Sequence, residues 1–152
     1  MTRPGASFES PRYVPNGLLG RLLGRRLNAV VFSMDYVMLW FDGDVGGGDV
    51  AGGNVVLNCD VYPVAEHRGQ VYAEADLGYG DALRALIPQE VSSTVEQTGA
   101  GIVISFQTGR ITIRPAFDEW VGPEIATLSG FADGAWMVWR PGEEPFEDLA
   151  GA

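Results

Sequence analysis

The chain has 152 residues, enough for one domain with a hydrophobic core, and its 46% hydrophobic and 20% charged residues are typical of a globular protein. Its net charge of −10 argues against nucleic acid as a partner, because nucleic-acid binding depends on a basic stripe, and it disfavours anionic membrane surfaces. The single cysteine, Cys59, excludes an internal disulfide and is typical of a reducing cytoplasm.

The two ends of the chain look different from its middle. Residues 1–16 contain several prolines and no apolar run, so we expect a flexible segment and no signal peptide. The most apolar stretch, 27–41, is interrupted by polar residues and is too short to span a bilayer. We therefore expect a cytoplasmic protein with one domain over 17–142 and an acidic, frayed tail over 143–152.

An internal repeat organises the domain. One shift along the chain superimposes Leu19 and Leu22 on Leu83 and Leu86, and the strands that follow each helix also correspond. The repeat units cover about 17–60 and 81–115. The pattern predicts an α+β domain in which two pseudo-repeated units, each a short helix plus antiparallel strands, form a largely antiparallel sheet.

Local signals support the elements of each unit. The first helix has Asn16 as a candidate N-cap and Gly24 as its C-cap, and the second runs from about Asp81 to Pro88. Residues 102–106 and 110–114 alternate between apolar and polar around a short turn, which predicts a hairpin with one buried face. A further strand is predicted at 135–140, and the linker 63–79 has no strong periodicity.

A glycine-rich loop over 42–53 replaces the short turn in the first unit. Its carboxylates Asp42, Asp44 and Asp49 are weak candidate ligands for a hard cation such as Ca²⁺. Their spacing lacks the EF-hand pattern and its closing Glu, and the loop lacks the Lys of a phosphate-binding loop. We interpret it as a plain hairpin insertion and expect neither a metal nor a cofactor.

Catalytic groups are sparse. Cys59 has the inward parity of its strand, whereas His67 lies in a polar run, so we do not expect a Cys/His catalytic pair. Acid/base catalysis needs two carboxylates held in different environments, and the sequence gives no sign of such a pair. The acidic residues instead form two runs that are typical of solvated faces: Asp118, Glu119 and Glu124, then Glu143, Glu144, Glu147 and Asp148.

The aromatic residues are the most informative candidates. Met38 and Trp40 have the outward parity of their strand, where the second unit has Val103 and Ser105. We expect the C-terminal strand to cover this face, and the alternative is an exposed face that binds a partner. The candidate contact residues for a ligand or partner are Met38, Trp40, Arg114, Trp120, Trp136 and Trp139.

Several short motifs resemble a family of small bacterial proteins, mostly from high-GC (actinobacterial-type) genomes, that is defined only as a domain of unknown function. They are Gly-Arg-Arg-Leu at 24–27, Ile-Val-Ile-Ser-Phe-Gln-Thr-Gly at 102–109, the pair Glu119-Trp120, and Trp-Arg-Pro-Gly-Glu-Glu at 139–144. The resemblance covers about 18–146 and departs from the family in the long glycine insertion and in lacking a second glycine after Gly142. It implies no activity.

Three functions agree with these observations. The first is a non-catalytic protein-binding module, such as an immunity-type or antitoxin-type partner of a basic protein, which fits the size and acidity of the chain. The second is a ligand-binding or enzymatic domain with a pocket between the two units, lined by Trp40, Trp120 and Arg114. The third is a structural subunit that assembles through a strand edge, for which a homo-oligomer is compatible with the sequence.

Overall fold

The computed structural model describes residues 13–44, 53–115 and 123–147. Within these ranges two five-stranded sheets are formed, and every strand pair is antiparallel. The strands are β1 (Leu27–Phe32), β2 (Val37–Phe41), β3 (Val55–Cys59), β4 (Val64–His67), β5 (Gln70–Tyr72), β6 (Ser93–Gln97), β7 (Gly101–Ser105), β8 (Gly109–Ile113), β9 (Ala126–Ser129) and β10 (Met137–Trp139). The first sheet has the order β10-β9-β3-β2-β1, and the second has the order β5-β4-β8-β7-β6.

The helical content is smaller than the predicted α+β balance. The first predicted helix is a single 3-10 turn, Leu19–Leu22, and the second is one short α-helix, α1 (Tyr79–Arg84). Both are anchored by buried leucines, as the apolar spacing predicted. Segments of this length make few internal hydrogen bonds and depend on packing, so the fold is carried by its sheets.

Each sheet is completed by a hairpin from a distant part of the chain. β4 and β5 directly follow the strands of the first sheet, yet they belong to the second sheet, in which β4 pairs with β8 and β5 pairs with β4. β9 and β10 follow the strands of the second sheet and return to pair with β3 in the first. The linker 63–79, for which no strand was predicted, therefore contains one of the two hairpins that connect the sheets.

The core lies on the inner faces of both sheets. In β2 and β3 every second residue is fully buried, and β7 and β8 bury their isoleucines in the same way. These residues belong to one hydrophobic cluster that also includes the leucines of the 3-10 turn and of α1. The alternation read from the sequence at 102–106 and 110–114 is confirmed, because one face of these strands is buried.

The ends of the described chain pack more closely than predicted. Phe146 is fully buried and Pro145 is buried, so the domain continues past 142 and includes the start of the expected acidic tail. At the other end, Tyr13 and Asn16 both donate hydrogen bonds to Glu96. No helix in the described part of the chain is long and apolar enough to cross a membrane.

Candidate binding cleft

A cleft of about 680 Å³ opens where the chain passes from one sheet to the other. Five segments border it: the turn between β1 and β2; residues 60–64, which connect β3 to β4; the residues after β5; the end of β8; and the residues before β9. Its lining residues are Met34, Asp35, Asp60, Val61, Tyr62, Val64, Ala73, Glu74, Thr112, Arg114, Pro115, Pro123 and Glu124. The second hypothesis from the sequence was a pocket between the two repeat units, and the volume of this cleft is in the range of small-ligand sites.

The cleft is predominantly acidic. Asp35, Asp60, Glu74 and Glu124 line it, with Arg114 as the basic residue. Burial raises the pKa of the Asp60 carboxyl, the negative charge of Glu124 raises it further, and a hydrogen bond from the Asn58 amide opposes the rise. A cation bound beside Asp60 would offset the repulsion from Glu124 and so favour the ionised carboxylate.

An apolar rim adjoins these carboxylates. The Met34 side chain, in the turn between β1 and β2, is 89% exposed. The Tyr62 hydroxyl donates a hydrogen bond to the backbone oxygen of Ser33, which fixes this turn against the cleft. The Tyr62 ring also lies 6.4 Å from the ring of Tyr79, whose hydroxyl donates to the Pro63 oxygen at 2.5 Å. The rim is thus held by contacts among the β1–β2 turn, the connection between β3 and β4, and α1.

The predicted pocket residues are only partly brought together. Arg114 lines the cleft, as expected. Trp40 does not line it, and Trp120 lies outside the described residues. The acidic lining comes mainly from Asp60 and Glu124, which the sequence alone did not connect because β3 and β9 are far apart in the chain and become neighbours only through the returning hairpin.

The C-terminal strand does not cover the outward face of Met38 and Trp40, contrary to expectation. β10 instead pairs edge to edge with β9 and extends the same sheet, so Val138 lies on the same face as Met38. Covering a sheet face requires a second layer, whereas the antiparallel register of β10 adds a strand in the plane. Trp40 is partly exposed, but its Nε1 atom is buried and has no hydrogen-bond partner among the described residues.

The two tryptophans of the tail have opposite environments. Trp136 is 63% exposed and is available to a partner. Trp139 is 1% exposed, and its Nε1 donates a hydrogen bond to Glu96 Oε2 at 2.8 Å, so it acts inside the domain and not as a contact residue. The alternation predicted for 135–140 explains the difference, because Trp136 and Trp139 lie on opposite faces of the strand.

The described carboxylates of the glycine-rich loop are engaged by arginines. Asp44 accepts hydrogen bonds from Arg25 and from the Ala132 backbone N–H, which lower its pKa together with the nearby arginine charges. Asp42 accepts from Asn28 and Arg26, and both lower its pKa. Asp49 lies outside the described residues. In the parts of the chain that the structure describes, no three His, Cys, Asp or Glu side chains are grouped to hold a metal ion.

Cys59 and His67 are placed in different sheets. Cys59 is fully buried on the inner face of β3, and burial raises the pKa of its thiol. His67 ends β4 and pairs with Gln70 of β5 and Gly109 of β8. The inward parity read from the sequence for Cys59 is confirmed, and the thiol lacks the access that a nucleophile needs.

No family model, curated protein or solved structure matches the chain. The resemblance to a bacterial family of unknown function therefore stays a prediction.

Proposed function

We propose that the chain is a non-catalytic protein-binding module that recognises a basic partner through the acidic cleft. The observation that carries the proposal is the placement of four carboxylates around one cleft in a chain of net charge −10. These carboxylates outnumber the one lining arginine, Arg114, and an excess of one sign of charge in a cleft speeds the association of oppositely charged partners. A Lys or Arg side chain of the partner would lie between Asp60 and Glu124.

The rim of the cleft favours a protein over a small cation. Met34 lies at the edge of the cleft, and Leu77, three residues after Glu74, is also almost fully exposed. Exposed apolar side chains beside charged groups are typical of protein interfaces, in which an apolar centre is surrounded by a polar rim. A small molecule that fills the cleft alone would leave these side chains in water.

The specific case that we propose is an immunity-type or antitoxin-type protein acting in a reducing cytoplasm. The size and acidity of the chain and its one free, buried cysteine support this proposal. We further infer that the two units are internal repeats. The shared apolar spacing and the corresponding places of β1–β3 and β6–β8 in their sheets support that inference.

A second candidate is a small cationic ligand or substrate in the same cleft. The raised pKa of Asp60 favours it, because perturbed carboxyl groups in clefts are frequent at ligand-binding and catalytic sites. The two candidates differ in what they leave exposed: a small ligand would leave Met34 and Leu77 uncovered.

A pull-down from the native host tests the proposal, with the tagged wild type compared with an Asp60→Asn/Glu124→Gln variant. We expect one basic protein with the wild type at low salt, less of it at high salt, and little with the variant, because salt screens charge pairs. Asp133→Asn, remote from the cleft and exposed, is the control that should retain the partner. Equal recovery with the cleft variant would exclude the cleft as the binding site.

A further inference from the structure

The outer face of the first sheet is free of charge in the described strands. Its outward positions alternate with the buried residues of β1, β2, β3, β9 and β10. They are Ala29, Val31, Met38, Trp40, Val56, Asn58, Thr127, Ser129 and Val138. The outer face of the second sheet, in contrast, carries the ion pair of Arg110 with Glu66. We call the first of these surfaces the apolar face.

The apolar face leads directly into the acidic cleft. Val56, Asn58 and Asp60 alternate along the same side of the chain, and the Asn58 amide donates a hydrogen bond to Asp60 Oδ1 at 3.2 Å. At the neighbouring hairpin, Val31 and Met38 are a register pair on this face, and Met34 in the turn between their strands reaches the cleft. Apolar and acidic surfaces therefore form one continuous patch.

We propose that this patch binds one amphipathic, basic helix of the partner, a proposal that rests on the cleft function above. The helix crosses the five strands with its apolar side on Met38, Val31 and Val138, and cationic side chains along its flank beside Asp60 enter the cleft. Five strands spaced about 4.8 Å apart place the two outer strands about 19 Å apart, a distance spanned by about 13 helical residues, so a helix of about 16 residues crosses the whole face. Helices that lie in apolar surfaces bind through residues spaced three and four apart.

The charge distribution favours this occupant over a second copy of the chain. Two copies paired through the apolar face would bring two chains of net charge −10 together, with an acidic cleft beside each interface. Like charges brought together at an interface oppose association. A basic helix satisfies both parts of the patch, whereas a second copy matches only the apolar part.

The test uses a displayed library of random 16-residue peptides selected on the folded protein. We expect the enriched peptides to combine apolar residues at helical spacing with Lys or Arg along the adjoining side of the same helix. The best peptide, and a version with its apolar residues changed to Ser, are then labelled and measured by fluorescence anisotropy. Met38→Gln should lower the affinity of the protein for the original peptide about tenfold, equivalent to about 1.4 kcal/mol. It should have little effect on the affinity for the Ser version.

Val103→Gln is the matched control, because Val103 is the outward residue of β7 that corresponds to Met38. It should leave the affinity unchanged, and urea unfolding should show that each variant is folded. If Met38→Gln proves unstable, Val138→Gln at the edge strand replaces it.

The outcomes separate the two proposals. Asp60→Asn/Glu124→Gln should lower the affinity of the protein for both peptides. If it does so while Met38→Gln and Val138→Gln have no effect, the amphipathic-helix inference is overturned and the cleft proposal stands. If the cleft variant binds normally, the cleft proposal falls and the inference falls with it. If no peptide is enriched, the amphipathic-helix inference is overturned, and the pull-down decides the cleft proposal.

Discussion

The indole N–H of Trp139 and the carboxylate of Glu96, 2.8 Å apart, connect the edge strands of the two sheets. Glu96 occupies an inward position of β6 and is only 6% exposed, among neighbours that are otherwise apolar. The Tyr13 hydroxyl at 2.5 Å and the Asn16 N–H at 2.8 Å also donate to it. One buried carboxylate therefore joins the N-terminal segment, the second sheet and the returning hairpin.

Glu96→Gln should destabilise the protein by about 2 kcal/mol, because the amide has one acceptor oxygen where the carboxylate has two, and a buried donor then loses its partner. The measurement is the urea midpoint, with the exposed Glu74→Gln as control. A midpoint equal to that of the wild type would show that the hydrogen bonds lost with the second acceptor oxygen contribute nothing net to stability.

Trp139→Phe and Trp40→Phe remove the same atoms but should lower the free energy of unfolding by different amounts. Trp139 donates to Glu96, whereas the buried Nε1 of Trp40 has no partner, so Trp40→Phe removes an unsatisfied donor. We expect Trp139→Phe to cost at least about 1 kcal/mol more than Trp40→Phe in the free energy of unfolding. Equal costs in denaturant titrations would contradict this assignment of the two indoles.

Asp60→Asn should stabilise the protein at neutral pH while weakening partner binding. Folding raises the pKa of Asp60, so the folded state holds this proton more tightly than the unfolded state, and stability falls as pH rises through the folded value. Asn carries no charge and escapes this cost. Urea midpoints should be higher for the variant at about pH 7 and converge with the wild type near about pH 3, where Asp is protonated in both states. A lower urea midpoint for the variant at neutral pH would show that the ionised Asp60 carboxylate does not destabilise the folded protein.

Cys59 should be unreactive until the protein unfolds. The thiol is fully buried, and burial raises its pKa, so both the thiolate fraction and access are low. A colorimetric thiol reagent should label the native protein slowly and the urea-unfolded protein at once. Rapid labelling of the folded protein would reopen the question of a nucleophilic role.

Periodicity predicted those parts of the fold in which one face is buried. The strands at 102–106 and 110–114 and the inward position of Cys59 follow from alternation alone. β4, β5, β9 and β10 have four residues or fewer, too few to show a period, and their partners lie far along the chain. The hairpin of β4 and β5, the strand β9 and the true position of β10 were therefore missed.

The site was harder to predict than the fold. Arg114 was named as a residue of a pocket between the units and it lines the cleft, but the cleft itself depends on the returning hairpin, which brings Glu124 close to Asp60. Glu96 was overlooked because a glutamate in a strand normally indicates an exposed position. The available signal was that Glu96, two residues after Thr94, lies on the inward side of β6. That signal becomes meaningful only when the hydrogen-bond donors from distant segments, Tyr13, Asn16 and Trp139, are known.

The exchange of hairpins has a consequence for synthesis on the ribosome. The first sheet contains β1 to β3, but it is not complete until residues 126–139 have emerged from the ribosome. In the second sheet, β4 and β5 cannot pair with the remaining strands until β8 has been synthesised. Neither half of the nascent chain can close its sheet alone, and the high contact order of such pairings slows folding. The protein should therefore fold late and in a single step, with β3 and its apolar neighbours open to chaperones until the last hairpin arrives.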